Sequence, residues 1–354
     1  MSEFPGSRWE LIFYFVHVRG YNACAKLFGI LKGRRHVANG VNLTPKDEIM
    51  SDQNKILVVG GAGYIGSHTV RMLADEGHAV VVLDSLVYGH RQAIVNDSVV
   101  FIEGDLGDAD LLDTLFTEHR IEAVLHFAAF AYVGESVTDP AKYYLNNLAA
   151  PLVLLEAMRR HGCMRFILSS TCATYGDPQY VPMDEAHPQN PINPYGQSKL
   201  MLEQVLRDYD HAYGMRNVCL RYFNAAGASE DGLIGEDHDP ETHLIPLILE
   251  AAAGVRESIT VFGDDYETPD GSCVRDYIHI LDLARAHILA LDYLRRGEPS
   301  MACNLGTGIG QSVLQVIAAA EKVTGQRIEV VEGGRRAGDP PELVAAPQKA
   351  KEVL

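Results

Sequence analysis

From residue 55 onward the chain alternates between two kinds of segment. Short, nearly continuous apolar runs lie at 55–60, 79–84, 99–102, 123–127, 165–169 and 217–221, and helix-like stretches lie between them at 64–76, 108–119, 141–161 and 195–213. A run without polar interruption is what a strand needs when both faces of its sheet are covered. Strands alternating with helices predict an α/β fold with a doubly wound, parallel, Rossmann-type sheet. Beyond about residue 224 the pattern loosens and Pro and Gly become more frequent. Short helices at 243–254, 280–295 and 312–323 mix with short strands at 259–262 and 327–331. The expected organisation is a first domain over 50–223 and a smaller mixed α/β domain over 224–354. Some later segments are expected to return to the first domain. No internal repeat or low-complexity tract interrupts this order.

Residues 1–49 do not follow the pattern. They hold seven Lys/Arg against four Asp/Glu, a net of +3, whereas the whole chain of 354 residues carries −17, so the remainder carries −17 − 3 = −20. They also hold the only tryptophan, Trp9. Met50 to Lys55 reads as a natural start directly before the first strand. The segment is therefore expected to be a non-homologous extension, with a targeting or partner-binding segment as the alternative.

Composition narrows the functional classes. At 47% hydrophobic residues the chain can bury a sizeable core. Its basic residues are scattered, which argues against a nucleic-acid surface, because phosphate backbones need clustered positive charge. The longest early apolar run, 11–18, is far short of the roughly 20 residues that span a bilayer. No small-residue cleavage site follows it, so neither a membrane span nor a secretory signal is expected. The six cysteines (Cys24, Cys163, Cys172, Cys219, Cys273, Cys303) show no CxxC pairing and no metal-like spacing. They read as buried thiols of a reducing, cytoplasmic protein that holds no metal.

The first apolar run ends in Gly60-Gly61-Ala62-Gly63-Tyr64-Ile65-Gly66. Gly60, Gly63 and Gly66 form GxxGxxG at a strand-to-helix junction. Such glycines allow a tight turn, close approach of backbone to a pyrophosphate, and close helix–strand packing. The N–H groups of Tyr64 and Ile65 would open a helix whose positive end faces phosphate. An ordinary glycine-rich turn fits the motif alone equally well. Asp84 weighs against that, since it ends the second run where a carboxylate accepts hydrogen bonds from an adenosine ribose. With Ser85 next and no Arg alongside, NAD is expected rather than NADP. Asp105 and Leu106 after the third run are candidates for the adenine side, or Asp105 is a helix N-cap. Phe127, Ala128 and Ala129 after the fourth are candidates for letting the cofactor backbone pass, or for plain core packing.

Tyr195 and Lys199 stand four residues apart, on one face of a predicted helix. A free phenol titrates near about 10, so it needs help to act as a base. An adjacent ammonium favours its phenolate, and a positively charged nicotinamide favours it further. Thr171, at the end of the fifth run, lies at the sheet edge where ligands bind and can relay a proton to Tyr195. Strand-end capping is the simpler role for Thr171. YxxxK alone occurs often by chance.

Taken together, the stretches GGAGYIGSH, HFAAFAYVGESV, YYLNN, SSTCATYGDP, NPYGQSKLMLEQ, LRYFNAAGA, VRDYIHILDLA, NLGTG and RRAGDPPELVA resemble the extended short-chain dehydrogenase/reductase family. Within it, they are similar to the UDP-glucose (UDP-galactose) 4-epimerases, from about residue 55 to 354. The resemblance implies an isomerase that oxidises C4 of a UDP-hexose transiently with bound NAD and reduces it again from the other face. Tyr195 would take the 4-hydroxyl proton through or beside Thr171, and Lys199 would hold the nicotinamide ribose. Asn146, Tyr222 and Phe223 would line the nicotinamide and sugar side. Arg275 and Arg336 would clamp the diphosphate with Asn224, Asp339 would hold the uridine ribose, and His243, Leu244 and Phe262 would border uracil. Leu343 falls at the position that gates sugar size. A homodimer through 141–161 and 195–213 is also implied.

Three departures qualify the resemblance. Ala131-Tyr132 stands where many relatives carry a cofactor-contacting Lys. Leu343 is neither aromatic nor small, which leaves N-acetylhexosamines open. The chain stops at Leu354 where relatives continue, so the second domain is expected to lack its last elements. The competing readings are a 4-epimerase of another UDP-sugar (N-acetylhexosamine, pentose or uronic acid), a nucleotide-sugar 4,6-dehydratase or decarboxylase, and a non-enzymatic NAD-binding sensor or scaffold. Cys172-Ala173 after Thr171, in place of the Asp-Glu pair that removes water, argues against the dehydratase. Retention of both Tyr195 and Lys199 argues against the sensor.

Overall fold

The strands are β1 (Lys55–Val59), β2 (Ala79–Asp84), β3 (Val100–Glu103), β4 (Ile121–His126), β5 (Arg165–Thr171), β6 (Arg216–Tyr222), β7 (Asn224–Ala226), β8 (Ile259–Phe262), β9 (Val274–His279), β10 (Met301–Leu305), β11 (Gly310–Ser312), β12 (Val330–Gly333) and β13 (Glu342–Leu343). The helices are α1 (Tyr64–Asp75), α2 (Ala109–Glu118), α3 (Val133–Thr138), α4 (Pro140–Tyr144), α5 (Ala150–Arg160), α6 (Pro194–Tyr213), α7 (Leu244–Ala252), α8 (Ile280–Arg295), α9 (Val313–Thr324) and α10 (Gln348–Val353). This computed structural model describes residues 54–336 and 339–354, and the expectation for residues 1–49 lies outside them.

Seven strands form one parallel sheet in the order β10-β6-β5-β4-β1-β2-β3. The expected Rossmann-type sheet is therefore present. Its strands read as continuous apolar runs because successive side chains feed two different cores. Ile56 and Val58 pack with Val70 and Leu73 of α1 and with Leu283, Ile288 and Leu291 of α8. Leu57 and Val59 pack on the other face with Leu112 and Leu115 of α2, Leu154 and Leu155 of α5, and Leu202 and Leu206 of α6. The strand order reverses between β1 and β4, so their carboxyl ends open a crevice, the usual ligand site of such sheets. The glycine turn follows β1 and Phe127-Ala128-Ala129 follows β4, one on each side of it.

The segment 141–161, expected as one helix, is three pieces. α4 begins with Pro140 behind the cap Asp139, which accepts from the Lys142 N–H; a π-turn covers Leu145–Ala149; α5 then carries Pro151 in its first turn. Pro151 has no N–H to offer the carbonyl four residues earlier, so the ladder must shift there. α3, α10 and the strands β7, β9, β10, β11 and β13 were not expected from the pattern.

Beyond β6, strands β11, β9 and β13 form a small sheet, with β7 alongside β9, and β8 pairs with β12. α7 and α9 close a third core through Ile245, Ile248, Leu249, Val316 and Ile317. A fourth, small cluster (Tyr175, Met183, Phe223, Ala345, with Cys172 and Leu343 against it) lies at the seam with the main sheet. No helix among the described residues is long and apolar enough to cross a membrane.

Candidate active site

Backbone geometry explains why the turn after β1 is made of glycine. Gly60 adopts φ +78°, and a Cβ there would stand 2.5 Å from the Ala128 nitrogen. A Cβ on Gly66 would stand 2.2 Å from the Gly60 carbonyl oxygen. The two strand ends are drawn together as well, since Phe127 and Ala128 both donate their N–H to the Val59 carbonyl, at 2.8 and 3.1 Å. α1 starts at Gly63 with no side-chain cap and no acid in its first turn. Its terminal N–H groups and positive end therefore face the crevice, the arrangement a pyrophosphate requires. Ile65 points into the sheet core, and the Tyr64 hydroxyl donates 2.6 Å to the Gly227 carbonyl.

Asp84 is buried at the end of β2, and its two oxygens accept the N–H groups of Ala62 and Leu86, both at 2.8 Å. These bonds fix the carboxylate and leave each oxygen lone-pair capacity for a vicinal diol. Leu86, at φ +56°, is the one non-glycine residue with positive φ among the described residues. Its bond to Asp84 holds that unfavourable conformation in place. Ser85 is exposed beside it. Asp105 is exposed and accepts from the Gly107 N–H at 2.6 Å, while Asp108, not Asp105, caps α2. Leu106 is buried.

Tyr195 and Lys199 occupy the first turns of α6, after the Asn193 cap, and both are buried. Thr171 ends β5, its hydroxyl accepts from the Ala173 N–H at 3.1 Å, and it lies close enough to Tyr195 to act on its phenol. Lys199 Nζ donates 2.8 Å to the Ser169 carbonyl on the same strand. Helix α6 and strand β5 thus bring the three predicted catalytic residues together. Burial raises the Tyr195 phenol well above its ordinary value, with Tyr222 adding to the rise and the neighbouring Thr171 hydroxyl opposing it. Burial draws the Lys199 ammonium down to about 8, against Glu203. In the protein alone, desolvation therefore outweighs the ammonium's expected influence on the phenol. Asn146 donates 2.9 Å to Asn147, which in turn grips Phe130 and Ser198 and braces the β4 loop against α6. Tyr222 shares a 2.9 Å bond with Ser169, and Phe223 is buried.

The residues assigned to the nucleotide half fall into three groups. Arg275 on β9 reaches Asp339 at 3.2 Å, is held by the Val274 and Pro340 carbonyls, and sits beside Leu343 in the β9–β13 register. Asn224 donates 3.1 Å to the Asp276 carbonyl on the same strand. Arg336 lies over the Phe262 ring at 4.3 Å. His243 precedes Leu244 at the start of α7 and contacts Glu236 at 2.8 Å. Burial would lower its imidazole, but Glu236 and Glu241 outweigh that and raise it to about 10.

Residues 56–306 match the family model described as "NAD dependent epimerase/dehydratase family". A UDP-glucose 4-epimerase of Streptococcus mutans is 56% identical over 301 residues, 84% of this chain and 90% of that protein. Among solved structures, a UDP-glucose 4-epimerase from Brucella ovis in complex with NAD aligns with a TM-score of 0.83 at 52% identity, covering 85% of this chain and 92% of that one. One from Bifidobacterium longum in complex with NAD+ and UDP aligns with a TM-score of 0.81 at 41% identity, covering 85% and 92%. The chain belongs to the NAD dependent epimerase/dehydratase family.

As a member of that family it is an enzyme, an NAD-dependent epimerase, and its glycine turn, open helix end and fixed Asp84 fit the cofactor. Sequence reasoning missed what lies beneath the site of this epimerase. Glu203, one helical turn after Lys199, forms a two-point pair with Arg221 at 3.0 and 2.6 Å and accepts from Ser170 at 2.6 Å. Arg221 donates to Tyr175, which donates to Asn304 on β10. An arginine inside the apolar run of β6 was the available signal, since a strand buried on both faces admits a charge only if it is paired. In the turn above, Gly66→Ala is expected to abolish NAD retention and lower the melting temperature. A variant that is folded by calorimetry and NAD-saturated by absorbance would contradict the close-approach argument.

Proposed function

We propose that the chain interconverts UDP-galactose and UDP-glucose by transient oxidation at C4 of the hexose. NAD, when bound, supplies the reversible oxidation and is regenerated within each cycle. Thr171 aligns the 4-hydroxyl, and Tyr195 removes its proton and later returns it. Lys199 holds the nicotinamide ribose and favours the phenolate. Arg275 and Arg336, with Asn224, hold the diphosphate, and Asp339 the uridine ribose, while the hexose stays loose enough to present either face. The observation that supports the reading is that buried Tyr195 and Lys199 at the start of α6 lie against the end of β5, where Thr171 acts on the Tyr195 phenol and Lys199 donates to the Ser169 carbonyl, in a sheet whose first strand ends in a glycine turn suited to a dinucleotide. Cys172, where a dehydratase needs an acid or base, supports it further, because burial pushes that thiol up to about 11 and leaves it uncharged at neutral pH.

Purified protein is expected to convert UDP-galactose to UDP-glucose without added reductant. If it retains NAD yet epimerises no UDP-hexose, the reading fails. UDP-N-acetylgalactosamine and UDP-arabinose assayed side by side show what the Leu343 position admits. Arg275→Ala is expected to weaken UDP binding by roughly 1.5–3 kcal/mol, the value of hydrogen bonds to a charged group, with NAD binding unchanged. Calorimetric titration with UDP checks it.

The same reading places the enzyme in the cytoplasm as a homodimer through 141–161 and 195–213, with no nucleic-acid or membrane partner. Leu145 and Leu152, 67% and 37% exposed within 141–161, support the dimer. Light scattering that gives a monomer mass would overturn it.

A further inference from the structure

The loop between β7 and α7 carries the run Glu236-Asp237-His238-Asp239-Pro240-Glu241-Thr242-His243, none of which the redox chemistry uses. In it the ligating atoms of Glu236, His238, Glu241 and His243 all lie within 4.8 Å of one another. His243 Nδ1 is 2.8 Å from Glu236 Oε1 and 3.3 Å from Glu241 Oε1; His238 Nδ1 is 3.5 Å from Glu236 Oε1 and 3.6 Å from Glu241 Oε2. A tetrahedral zinc-class ion, with bonds of about 2.0–2.1 Å, spaces its donor atoms about 3.3 Å apart. The four distances bracket that value.

Three further observations point the same way. His238 Nδ1 is buried and has no hydrogen-bond partner, although it faces two carboxylates. At these separations it is too far to donate well to either and well placed to share an ion with both. Glu241 Oε1 is fixed by the N–H groups of Thr242 and His243, at 2.7 and 2.8 Å, the kind of outer support that orients a ligating carboxylate. Glu236 is only 5% exposed, so its charge must be compensated locally.

We propose that Glu236, His238, Glu241 and His243 form a four-ligand site for a divalent zinc-class ion that pins the 227–243 loop against the cofactor turn. The site is closed by protein ligands, which makes it structural in kind. Its surroundings define what it would hold. The His238 ring stands edge-on to Tyr64 and to Tyr132, both at 6.4 Å. Tyr64 belongs to the glycine turn and reaches the Gly227 carbonyl, and the Tyr132 hydroxyl reaches the Pro240 carbonyl at 3.0 Å. An ion here would lock together both ends of the loop and the two strand ends that border the crevice.

The test is titration of the untagged, chelator-treated full chain with Co²⁺, followed by displacement with Zn²⁺. One equivalent of Co²⁺ with the strong visible absorption of tetrahedral coordination, lost on adding Zn²⁺, is expected. Glu236→Gln and His238→Ala should each weaken Zn²⁺ affinity by at least about tenfold, with far-UV circular dichroism and NAD binding retained. Absence of the tetrahedral spectrum in the unaltered protein overturns the proposal, and the four groups are then a metal-free ion-paired cluster. Zn²⁺ affinity equal in the unaltered protein and both variants overturns it too. The spectrum of the unaltered protein decides the matter even if a variant misfolds.

Discussion

Replacing Tyr195 by Phe is expected to lower turnover by roughly 10²–10⁴-fold, the range for loss of a positioned general base, while NAD stays bound. Phenylalanine keeps the buried ring and its packing and removes only the hydroxyl. Burial holds the phenol protonated in the protein alone. Its activation therefore depends on positive charge arriving nearby, from Lys199 and from the oxidised nicotinamide. Lys199 is suited to this, since with its pKa at about 8 it is still mostly charged at neutral pH. Steady-state kcat with UDP-galactose, beside a measurement of bound NAD, checks the expectation. An unchanged rate would remove the base from Tyr195 and leave Thr171 as the proton's first acceptor.

Glu203→Ala is expected to destabilise the fold by about 3–5 kcal/mol, because it leaves the Arg221 guanidinium buried without its counter-charge. Arg221 is 4% exposed and Glu203 2%. Of a total stability of roughly 5–15 kcal/mol, that is a large share. The loss should extend past the pair itself. Ser170 would lose its acceptor, and the Arg221–Tyr175–Asn304 chain would lose its anchor. Chemical denaturation of Glu203→Ala beside the double change Glu203→Leu with Arg221→Leu separates the two effects. The double variant should recover much of the loss, since an apolar pair of similar volume leaves no charge stranded. Equal stability of Glu203→Ala and the unaltered protein would show that the pair contributes nothing.

What could be read before the structure followed from how strongly each segment's burial constrains its sequence. β2 and β8 run over the expected residues, as does α8, and β1 and α1 differ from expectation by one residue at their ends. Each of these buries a long or continuous apolar face. β9 and β11 escaped notice because they mix the charges and glycines of VRDYIH and GQS into strands whose partners lie elsewhere in the chain. The single helix expected at 141–161 overlooked Pro151, which the backbone accommodates by breaking and widening the helix. Tyr195, Lys199 and the glycine turn could be singled out because their spacing is local, and Thr171 because it ends an apolar run. For the Glu203–Arg221 pair only half the signal was present: Arg221 in the apolar run of β6 calls for a buried partner, but nothing names Glu203 as that partner until α6 is laid against β6. Glu236, His238, Glu241 and His243 are close in sequence, yet cysteine spacing says nothing about carboxylates and imidazoles.

The position of β10 has a consequence for how the chain is made. It pairs with β6 from Met301↔Val218 to Leu305↔Tyr222, and α8 just before it shares with α1 the cover of one face of the sheet. While residues up to 223 alone have been synthesised, β6 is an open edge and Ile56 and Val58 lack half their cover. An uncovered parallel edge of this kind invites pairing with other chains. The cofactor-binding layer therefore has no finished form of its own during translation. It matures only when a strand roughly 80 residues later, a separation that slows folding, has left the ribosome.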